Sequence, residues 1–304
     1  MRRSAISLLF FLGCLCAASS HRYTLRAEDR VELNSQIKPQ MVRDLLWVWN
    51  THNMDQPGNH TLATYAQANA VQKMDLLNIP NVMMCGNGLP ENDQEAFDLT
   101  KSVTSSKRLV WEILTDDGLH KPPFAYTKTA ARIRRLFDED PKIEAVLLDD
   151  MSSMSVKAGF KPKHIRAIRD LLPDKYLDIK IWGVVYTMNM RQPGMDEIIK
   201  ALDVINMWVW SAKDVVDLEE HVAYIEALTP EKPIVLGLYL HDYGGGRNIP
   251  QNLLEAQCQT ALKLAHAGRI EGIVFLTIDN NPEVLQWTAD WIEKVGNQKI
   301  GISP

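Results

Sequence analysis

The sequence predicts a single-domain α/β protein folded as a (β/α)8 barrel. Three observations predict this fold: eight short apolar runs begin at Leu46, amphipathic stretches separate them, and no linker rich in Pro, Gly or Ser interrupts the series. Successive runs lie roughly 25 to 40 residues apart, which is the length of one strand with its returning helix. A chain of 304 residues, of which 46% are hydrophobic, is long enough for one such barrel.

The eight runs are predicted to be parallel strands. Most are nearly continuous in apolar, β-branched or aromatic residues, which is typical of strands covered on both faces. They lie at Leu46–Trp49, Asn81–Met84, Arg108–Ile113, Ile143–Leu148, Ile179–Tyr186, Val204–Trp210, Ile234–Tyr239 and Ile273–Leu276.

Helical spacing appears between the predicted strands. The predicted helices include Ala63–Leu77, Thr127–Phe137, His164–Leu172, Leu218–Leu228, Leu253–Ala267 and Pro282–Val295. An open doubly wound sheet is the alternative arrangement of such units. Because an open sheet rarely contains eight similar units, we expect the strands to close into a ring.

Residues 1–20 have the pattern of an export signal. Arg2 and Arg3 form a basic start, the apolar run Ala5–Ala18 follows, and small residues end the segment. The run is shorter than the ~20 residues that cross a bilayer. We therefore expect cleavage, no membrane span after signal removal, and a secreted or periplasmic protein. Cys14 leaves a lipoprotein as the alternative.

The barrel domain is expected to cover residues 21–304, with residues 21–44 forming an extra segment across one end of the barrel. The formal net charge is −5, and no cluster of basic residues is found. Phosphate binding needs such a cluster, so we expect no nucleic-acid partner. Neither the eight scattered histidines nor Cys85 and Cys258 have the spacing of a metal site. No glycine-rich dinucleotide motif appears, so the sequence predicts neither a metal nor another cofactor.

The candidate catalytic residues are acids at the ends of predicted strands, because the active site of such a barrel forms at the carboxyl ends. They are Glu112, Asp149, Asp150 and Asp242. Cleavage of a glycosidic bond needs two carboxyl groups, one protonated and one ionised. Asp149 and Asp150 are adjacent, so strand alternation would send them to opposite sides unless the strand has already ended. Aspartate also begins turns, as we expect for Asp116 and Asp117.

Large aromatic residues gather at the same predicted rim. Trp47 and Trp49 are two residues apart, as are Trp208 and Trp210, so each pair points to one side of its strand. A flat indole ring stacks well on a sugar ring; the alternative is packing between strands and helices. Together with polar neighbours, the substrate-binding candidates are Trp49, Asn50, His52, Tyr186, Trp208, Trp210, Tyr239, His241 and Asp279.

The loop that follows the seventh predicted strand contains three consecutive glycines, Gly244 to Gly246. Backbone amides of this loop cradle phosphate in many barrels, which leaves a phosphoester hydrolase as an alternative function. Three glycines equally fit a mobile lid or a plain turn. Export argues against a sugar-phosphate substrate.

Trp-rich strand ends, with acids on or after strands three, four and seven, resemble those of TIM-barrel glycoside hydrolases from Leu46 to Val295. The stretches Gly237–Tyr243 and Glu271–Leu276 look like those of uncharacterised bacterial exported barrel proteins. Strand four departs from the chitinase-type pattern of spaced acids ending in Glu, because it offers only Asp149 and Asp150. The resemblance implies a hydrolase with a carbohydrate substrate outside the cytoplasm. A non-catalytic carbohydrate-binding barrel is the alternative.

Overall fold

The computed structural model describes residues 41–86, 90, 92–113, 136–137, 142–153, 159–172 and 178–301. All of them belong to the compact unit Gln40–Pro304. Four predictions fall wholly or mostly outside the described residues. They concern the signal at 1–20, the extra segment at 21–44, the turn at 116–117 and the helix at 127–137.

Eight parallel strands close into a barrel. They are β1 (Leu46–Thr51), β2 (Asn81–Cys85), β3 (Arg108–Glu112), β4 (Ile143–Leu148), β5 (Lys180–Tyr186), β6 (Val204–Trp208), β7 (Ile234–Tyr239) and β10 (Gly272–Leu276). The order around the ring is β1-β10-β7-β6-β5-β4-β3-β2, and the parallel pairing of β1 with both β10 and β2 closes it. The predicted (β/α)8 fold is confirmed, and the open sheet is excluded. Two short strands, β8 (His241–Asp242) and β9 (Arg247–Asn248), form an antiparallel hairpin after β7.

Helices lie between most of the barrel strands. The described α-helices are α1 (Ala70–Leu77), α2 (Asp93–Ser102), α3 (Pro162–Leu171), α4 (Met195–Ala201), α5 (Leu218–Leu228), α6 (Gln251–His266) and α7 (Pro282–Val295). The bounds of α5 and α7 match the prediction, whereas α2 and α4 were not predicted. Over the part of the chain that the structure describes, each helix is too short or too polar to span a membrane.

The predicted helix Ala63–Leu77 is divided into two elements, a 3-10 helix at Leu62–Gln67 and the α-helix α1. Asn69 explains the division, because its Oδ1 accepts a hydrogen bond from the backbone N–H of Gln72 at 3.0 Å. This is the contact of a helix N-cap, which starts a new helix at the next residue.

Four indole rings lie in the barrel interior beside the aliphatic side chains that usually fill such a barrel. Trp47, Trp49, Trp182 and Trp208 are all buried there. Trp47 and Trp182 meet edge to face with ring centroids 5.4 Å apart, and the guanidinium of Arg108 lies 4.7 Å from the Trp47 ring. Trp47 and Trp182 lie in the first half of β1 and β5, so they fill the barrel interior on the amino-terminal side of Trp49 and Trp208.

Glycines on the neighbouring strands make room for these rings. A Cβ atom on Gly237 would lie 2.0 Å from Cδ2 of Trp208, and one on Gly272 would lie 3.1 Å from Nε1 of Trp47. The orientation of Trp208 is fixed from its other side, since its Nε1 donates to Oδ1 of the buried Asn206 at 2.8 Å. The position of Trp208 therefore depends on the absence of a side chain at residue 237.

A buried polar cluster lies between β1 and α1. Lys73 is 2% exposed, and its Nζ donates to Oδ1 of the fully buried Asn50 at 3.0 Å. Burial lowers the pKa of Lys73 to about 8, while the charge of Asp55 opposes this shift. Burial likewise raises the pKa of Asp55 to about 6, against the opposing effect of Lys73.

We predict that Gly237→Ala displaces Trp208, because the new methyl group would overlap the indole ring. The free energy of unfolding in urea should fall by about 1 to 3 kcal/mol, as for other overpacked cores. The near-ultraviolet circular dichroism spectrum should change as well. Gly194→Ala is the control, since Gly194 faces open space at φ 80°; it should cost stability through its backbone but leave the aromatic spectrum unchanged. The same spectral change in both variants would contradict the prediction.

We predict that Lys73→Met removes a pH dependence of stability. With a pKa of about 8 instead of 10.5, native Lys73 binds fewer protons than unfolded Lys73 between these two pH values. The free energy of unfolding of the wild type should therefore rise across this window, by roughly 1 to 3 kcal/mol relative to the variant. Urea unfolding at pH 7, 8, 9 and 10.5 measures the difference, with the exposed Lys180 changed to Met as control. Parallel curves for wild type and Lys73→Met would refute the buried titration.

Candidate functional site

A cavity of about 160 Å³ lies at the carboxyl ends of the barrel strands, where active sites of this fold form. Its described lining is Trp49, Asp149, Val184, Tyr186, Trp208, Trp210, Tyr239, Tyr243, Leu276 and Ile278. Sites for small molecules commonly measure roughly 300 to 1,000 Å³. The described part of the cavity is therefore smaller than most such sites.

Six aromatic rings form most of the cavity wall. Trp208 meets Trp49 edge to face at 5.4 Å between centroids and Tyr239 at 4.7 Å. Trp210 meets Tyr186 at 5.6 Å and Tyr239 at 5.9 Å. Trp210 is 36% exposed while Trp208 is 1% exposed, so the rings run from the barrel interior to its surface.

Trp47 and Trp49 share a side of β1 as predicted, whereas β6 ends at Trp208, so Trp210 lies beyond the strand. Trp47 and Trp49 both point into the barrel, and Trp208 and Trp210 both line the cavity. Trp111 instead packs between the strands and the helices. It belongs to the core outside the barrel, and its Nε1 donates to Oγ1 of Thr100 on α2 at 3.1 Å.

Asp149 and Asp150 follow β4 directly and lie near the same tyrosines. Because β4 has ended at Leu148, strand alternation no longer separates the two residues. Asp150 adopts a left-handed backbone with φ 49°, and its N–H donates to Oδ1 of Asp149 at 2.7 Å. The hydroxyl of Tyr186 donates to Oδ1 of Asp150 at 2.6 Å. The prediction left open whether the pair would share one site, and the structure brings both carboxyl groups to the cavity edge.

The two aspartates affect the pKa values of the hydroxyl groups of Tyr186 and Tyr239. Burial raises the pKa of Tyr186 well above its usual value, and the charges of Asp149 and Asp150 add to the effect. The pKa of Tyr239 is raised in the same way, first by burial and then by the charges of both aspartates, while a hydrogen bond with Tyr186 opposes the rise. Both tyrosines therefore keep their protons at neutral pH and remain hydrogen-bond donors.

Glu112 lies deeper in the barrel than Asp149. It is 2% exposed, and its Oε2 accepts a hydrogen bond from the backbone N–H of Gly86 at 2.8 Å. The buried thiol of Cys85 lies near both acids, since its pKa is raised by burial and then by the charges of Glu112 and Asp149. Glu112 ends β3, and Asp149 and Asp150 follow the adjacent strand β4.

Asp242 has a different environment from the other catalytic candidates. It does not line the cavity, and Oδ1 accepts hydrogen bonds at 3.0 Å from the backbone N–H groups of Ala212 and Gly245. Arg247 donates to Oδ2 at 3.2 Å. Burial acts to raise the pKa of Asp242, but these donors lower it below its usual value. Its contacts are those of a carboxylate that ties the loops after β6 and β7 together.

The glycine-rich loop packs closely on its surroundings. A Cβ atom on Gly244 would lie 2.7 Å from Cβ of Ser211, and one on Gly245 would lie 2.3 Å from Oδ2 of Asp242. The N–H of Gly244 donates to the carbonyl oxygen of Trp210 at 2.9 Å. These glycines thus permit close contact between two loops, and the N–H groups of Gly244 and Gly245 already have protein acceptors.

Two predicted binding residues lie outside the cavity. The side chain of Asn50 points toward α1, because residue 50 has the opposite strand parity to Trp49. It accepts a hydrogen bond from Lys73 there. The Nδ1 of His52 is 2.5 Å from the carbonyl oxygen of Cys85, and burial lowers the pKa of His52, so the ring is neutral at neutral pH. Neither residue is among the described residues that line the cavity.

His241 and Asp279 are in contact at the rim, with Nδ1 and Oδ2 3.2 Å apart. The His241 ring also meets Tyr243 at 4.9 Å between centroids. Tyr243 itself was not predicted as a binding residue, although it lies four residues after Tyr239 with the same parity. The structure adds it to the cavity because the hairpin of β8 and β9 carries it back over the mouth. Among the described residues, no group of three His, Cys, Asp or Glu side chains could hold a metal ion.

No protein-family model matches the sequence, and no curated protein matches it. Solved structures match at the level of the fold. A β-glucuronidase from Bacteroides uniformis has a TM-score of 0.52 at 12% identity, covering 79% of this chain and 30% of that chain. A xylanase and α-amylase inhibitor protein from Scadoxus multiflorus has a TM-score of 0.50 at 10% identity, covering 83% of this chain and 98% of that chain.

A chitinase from Chromobacterium violaceum has a TM-score of 0.49 at 10% identity, over 81% of this chain and 98% of that chain. This chain spans less than a third of the glucuronidase. At these identities the comparisons show the fold alone. The protein therefore shares its closed barrel with one protein named as an enzyme and with one named as an enzyme inhibitor.

Proposed function

We propose that this protein binds a carbohydrate in the aromatic cavity and hydrolyses a glycosidic bond there. The observation that carries the proposal is the position of Asp149, an acidic side chain in a cavity otherwise lined by aromatic and aliphatic groups. Aromatic faces suit the C–H surface of a sugar ring, and a carboxyl group beside them is the group that glycosidic cleavage requires. The fold shared with the glucuronidase is consistent with this activity.

Hydrolysis would use Asp149 and Asp150 as the carboxyl pair. One of them, protonated, gives its proton to the glycosidic oxygen as the bond from that oxygen to the anomeric carbon breaks. The other, ionised, takes a proton from the water that adds to this carbon, directly or after a covalent intermediate. The hydrogen bond from Tyr186 to Asp150 fixes one member of the pair. Glu112, tied to Gly86, is a positioning residue below them.

Trp49, Trp208, Trp210 and Tyr239 form the proposed binding platform, joined by Tyr243. His241 and Asp279 lie at the rim, where they would contact parts of a glycan that extend out of the cavity. Asp242 holds the loops that carry Trp210 and Tyr243 and acts through them. The export signal predicted at residues 1–20 would place this activity on a glycan outside the cytoplasm.

A non-catalytic carbohydrate-binding barrel is the second candidate. It is favoured by the fold shared with the Scadoxus multiflorus protein, which is named as an inhibitor of xylanase and α-amylase. The aromatic cavity serves both candidates equally, so only turnover separates them. The phosphoester hydrolase has less support, because the amides of Gly244 and Gly245 already bond to Trp210 and Asp242.

We predict that Asp149→Asn and Asp150→Asn each lower kcat by about 10²- to 10⁴-fold, the usual effect of losing a catalytic acid or base. Release of reducing ends from cellulose, xylan, chitin and glucosamine oligosaccharides measures turnover. Asp98→Asn, an exposed change on α2 whose partner is Gln94, is the matched control and should retain full activity.

Glycan binding by the wild type without release of reducing ends would establish the binding barrel and refute hydrolysis. Retained turnover in both variants would refute the assignment of the carboxyl pair. Far-ultraviolet circular dichroism of each variant verifies that a loss of turnover is not a loss of folding.

A further inference from the structure

We propose that a groove on the helical layer of the barrel, bounded by α6 and α7, is a second carbohydrate-binding site that holds a neutral sugar ring of a glycan. Its described lining comes from these two helices and consists of Glu255, Gln259, Trp287, Asp290, Trp291 and Lys294. The described lining of the cavity at the barrel mouth includes none of them. The groove is therefore separate from the site proposed for hydrolysis, and either site can exist without the other.

The groove is large enough for a small ligand. Its volume is about 350 Å³, which falls within the roughly 300 to 1,000 Å³ of small-molecule sites. The described part of the mouth cavity has less than half of this volume, about 160 Å³. Both helices that form the groove are described over their whole length.

Two indole rings of α7 form the apolar part of the groove. Trp287 and Trp291 are four residues apart, so they are neighbours on one face of the helix. Trp291 is 5% exposed, and its ring centroid lies 6.2 Å from that of Phe275 on β10, so the barrel core holds it in place. Trp287 is only half-buried. Part of its surface is therefore open to solvent, where the C–H face of a sugar ring can stack on it.

The polar groups beside the indole rings include both donors and acceptors. Glu255 and Asp290 offer carboxylate oxygens that accept hydrogen bonds, and the ammonium group of Lys294 donates them. The amide of Gln259 can do both. This mixture matches a hydroxyl group, which also donates and accepts, better than it matches phosphate, which only accepts, or an ammonium group, which only donates.

Several of these groups can still bond to a ligand. Glu255 accepts from Gln251 at 3.2 Å and Asp290 accepts from Gln286 at 2.9 Å, and each carboxylate has further lone pairs. The Nε1 of Trp291 is buried and has no hydrogen-bond partner among the described residues. An unmatched buried donor is unfavourable, and a sugar hydroxyl group that reached it from the groove would remove this cost.

A site on the helical layer does not bring a sugar to the carboxyl groups at the mouth. It would instead hold a long glycan close to the barrel, which raises the local concentration of that glycan at the mouth. We therefore expect the groove to contribute to the binding of polymers and not to the turnover of short oligosaccharides.

Cosedimentation of the full chain with insoluble cellulose, xylan and chitin tests the inference. The wild type should bind at least one of these polymers, and Trp287→Ala should bind it about tenfold more weakly, a common effect of losing an aromatic anchor. Tyr224→Ala removes another half-buried aromatic ring, on α5, and is the matched control that should bind as the wild type does. Release of reducing ends from short oligosaccharides should be the same in the wild type and in Trp287→Ala. Far-ultraviolet circular dichroism verifies that each variant is folded.

Fluorine NMR of the full chain labelled with 5-fluorotryptophan locates the bound sugar. Trp287→Phe and Trp291→Phe assign the two signals of the groove. The hexasaccharide of the polymer that binds should shift both signals, and it should still do so in Trp210→Ala, which lacks one ring of the mouth cavity. Because the sugar is neutral, added salt should leave these shifts almost unchanged.

The outcomes separate the groove from the mouth. Equal polymer binding by the wild type and Trp287→Ala, without a shift of either signal, would overturn the groove as a sugar site and leave binding at the mouth intact. Shifts with a casein digest but with none of the hexasaccharides would assign the groove to peptides and overturn the inference. Absence of both polymer binding and hexasaccharide shifts would overturn it as well. The turnover of short oligosaccharides decides the proposed function independently of these results.

Discussion

The contact between Trp208 and Gly237 is the constraint on which the candidate site depends. The indole ring of Trp208 occupies the space that a side chain at residue 237 would fill, and Gly237 on β7 leaves that space open. Trp208 in turn supports Trp49 and Tyr239, its ring neighbours at the cavity floor. The aromatic cavity above is therefore an extension of the barrel core. Rings held by core packing need little reordering when a ligand arrives, which favours binding.

The acidic residues beside this aromatic core come from two adjacent strands of the barrel, β3 and β4. Glu112 ends β3, and Asp149 and Asp150 follow β4, so adjacent strands deliver all three carboxyl groups to one side of the cavity. Their separate hydrogen bonds, from Gly86 to Glu112 and from Tyr186 to Asp150, hold them in place near one another. On the opposite side, Asp242 and the glycine loop fix the strand ends that carry Trp210 and Tyr243. Charge and aromatic surface are thus contributed by different parts of the barrel and meet at the cavity.

Much of the architecture followed from local pattern. Continuous apolar runs identified all eight barrel strands, and the bounds of β4 and β7 agree with the prediction residue for residue. Strand parity predicted that Trp47 and Trp49 share one side of their strand, and the structure shows that this side is the barrel interior. The division of Ala63–Leu77 was missed, because the cap at Asn69 interrupts an otherwise periodic stretch. Asn50 was misplaced among the binding residues although its parity, opposite to that of Trp49, already pointed it toward α1.

The sequence by itself determined the ring of parallel strands and the end of the ring at which polar and aromatic residues gather, since both depend on periodicity within short segments. Only the tertiary structure decided which acids meet. Asp150 has a left-handed backbone conformation and accepts a hydrogen bond from Tyr186. Asp242 accepts hydrogen bonds from backbone amides of two loops. Such partners lie about 30 residues or more away along the chain in most of these contacts, and no local pattern encodes a contact over that separation. The arrangement of the rings in the cavity likewise arises only when four barrel strands, β1, β5, β6 and β7, and the hairpin of β8 and β9 bring them together.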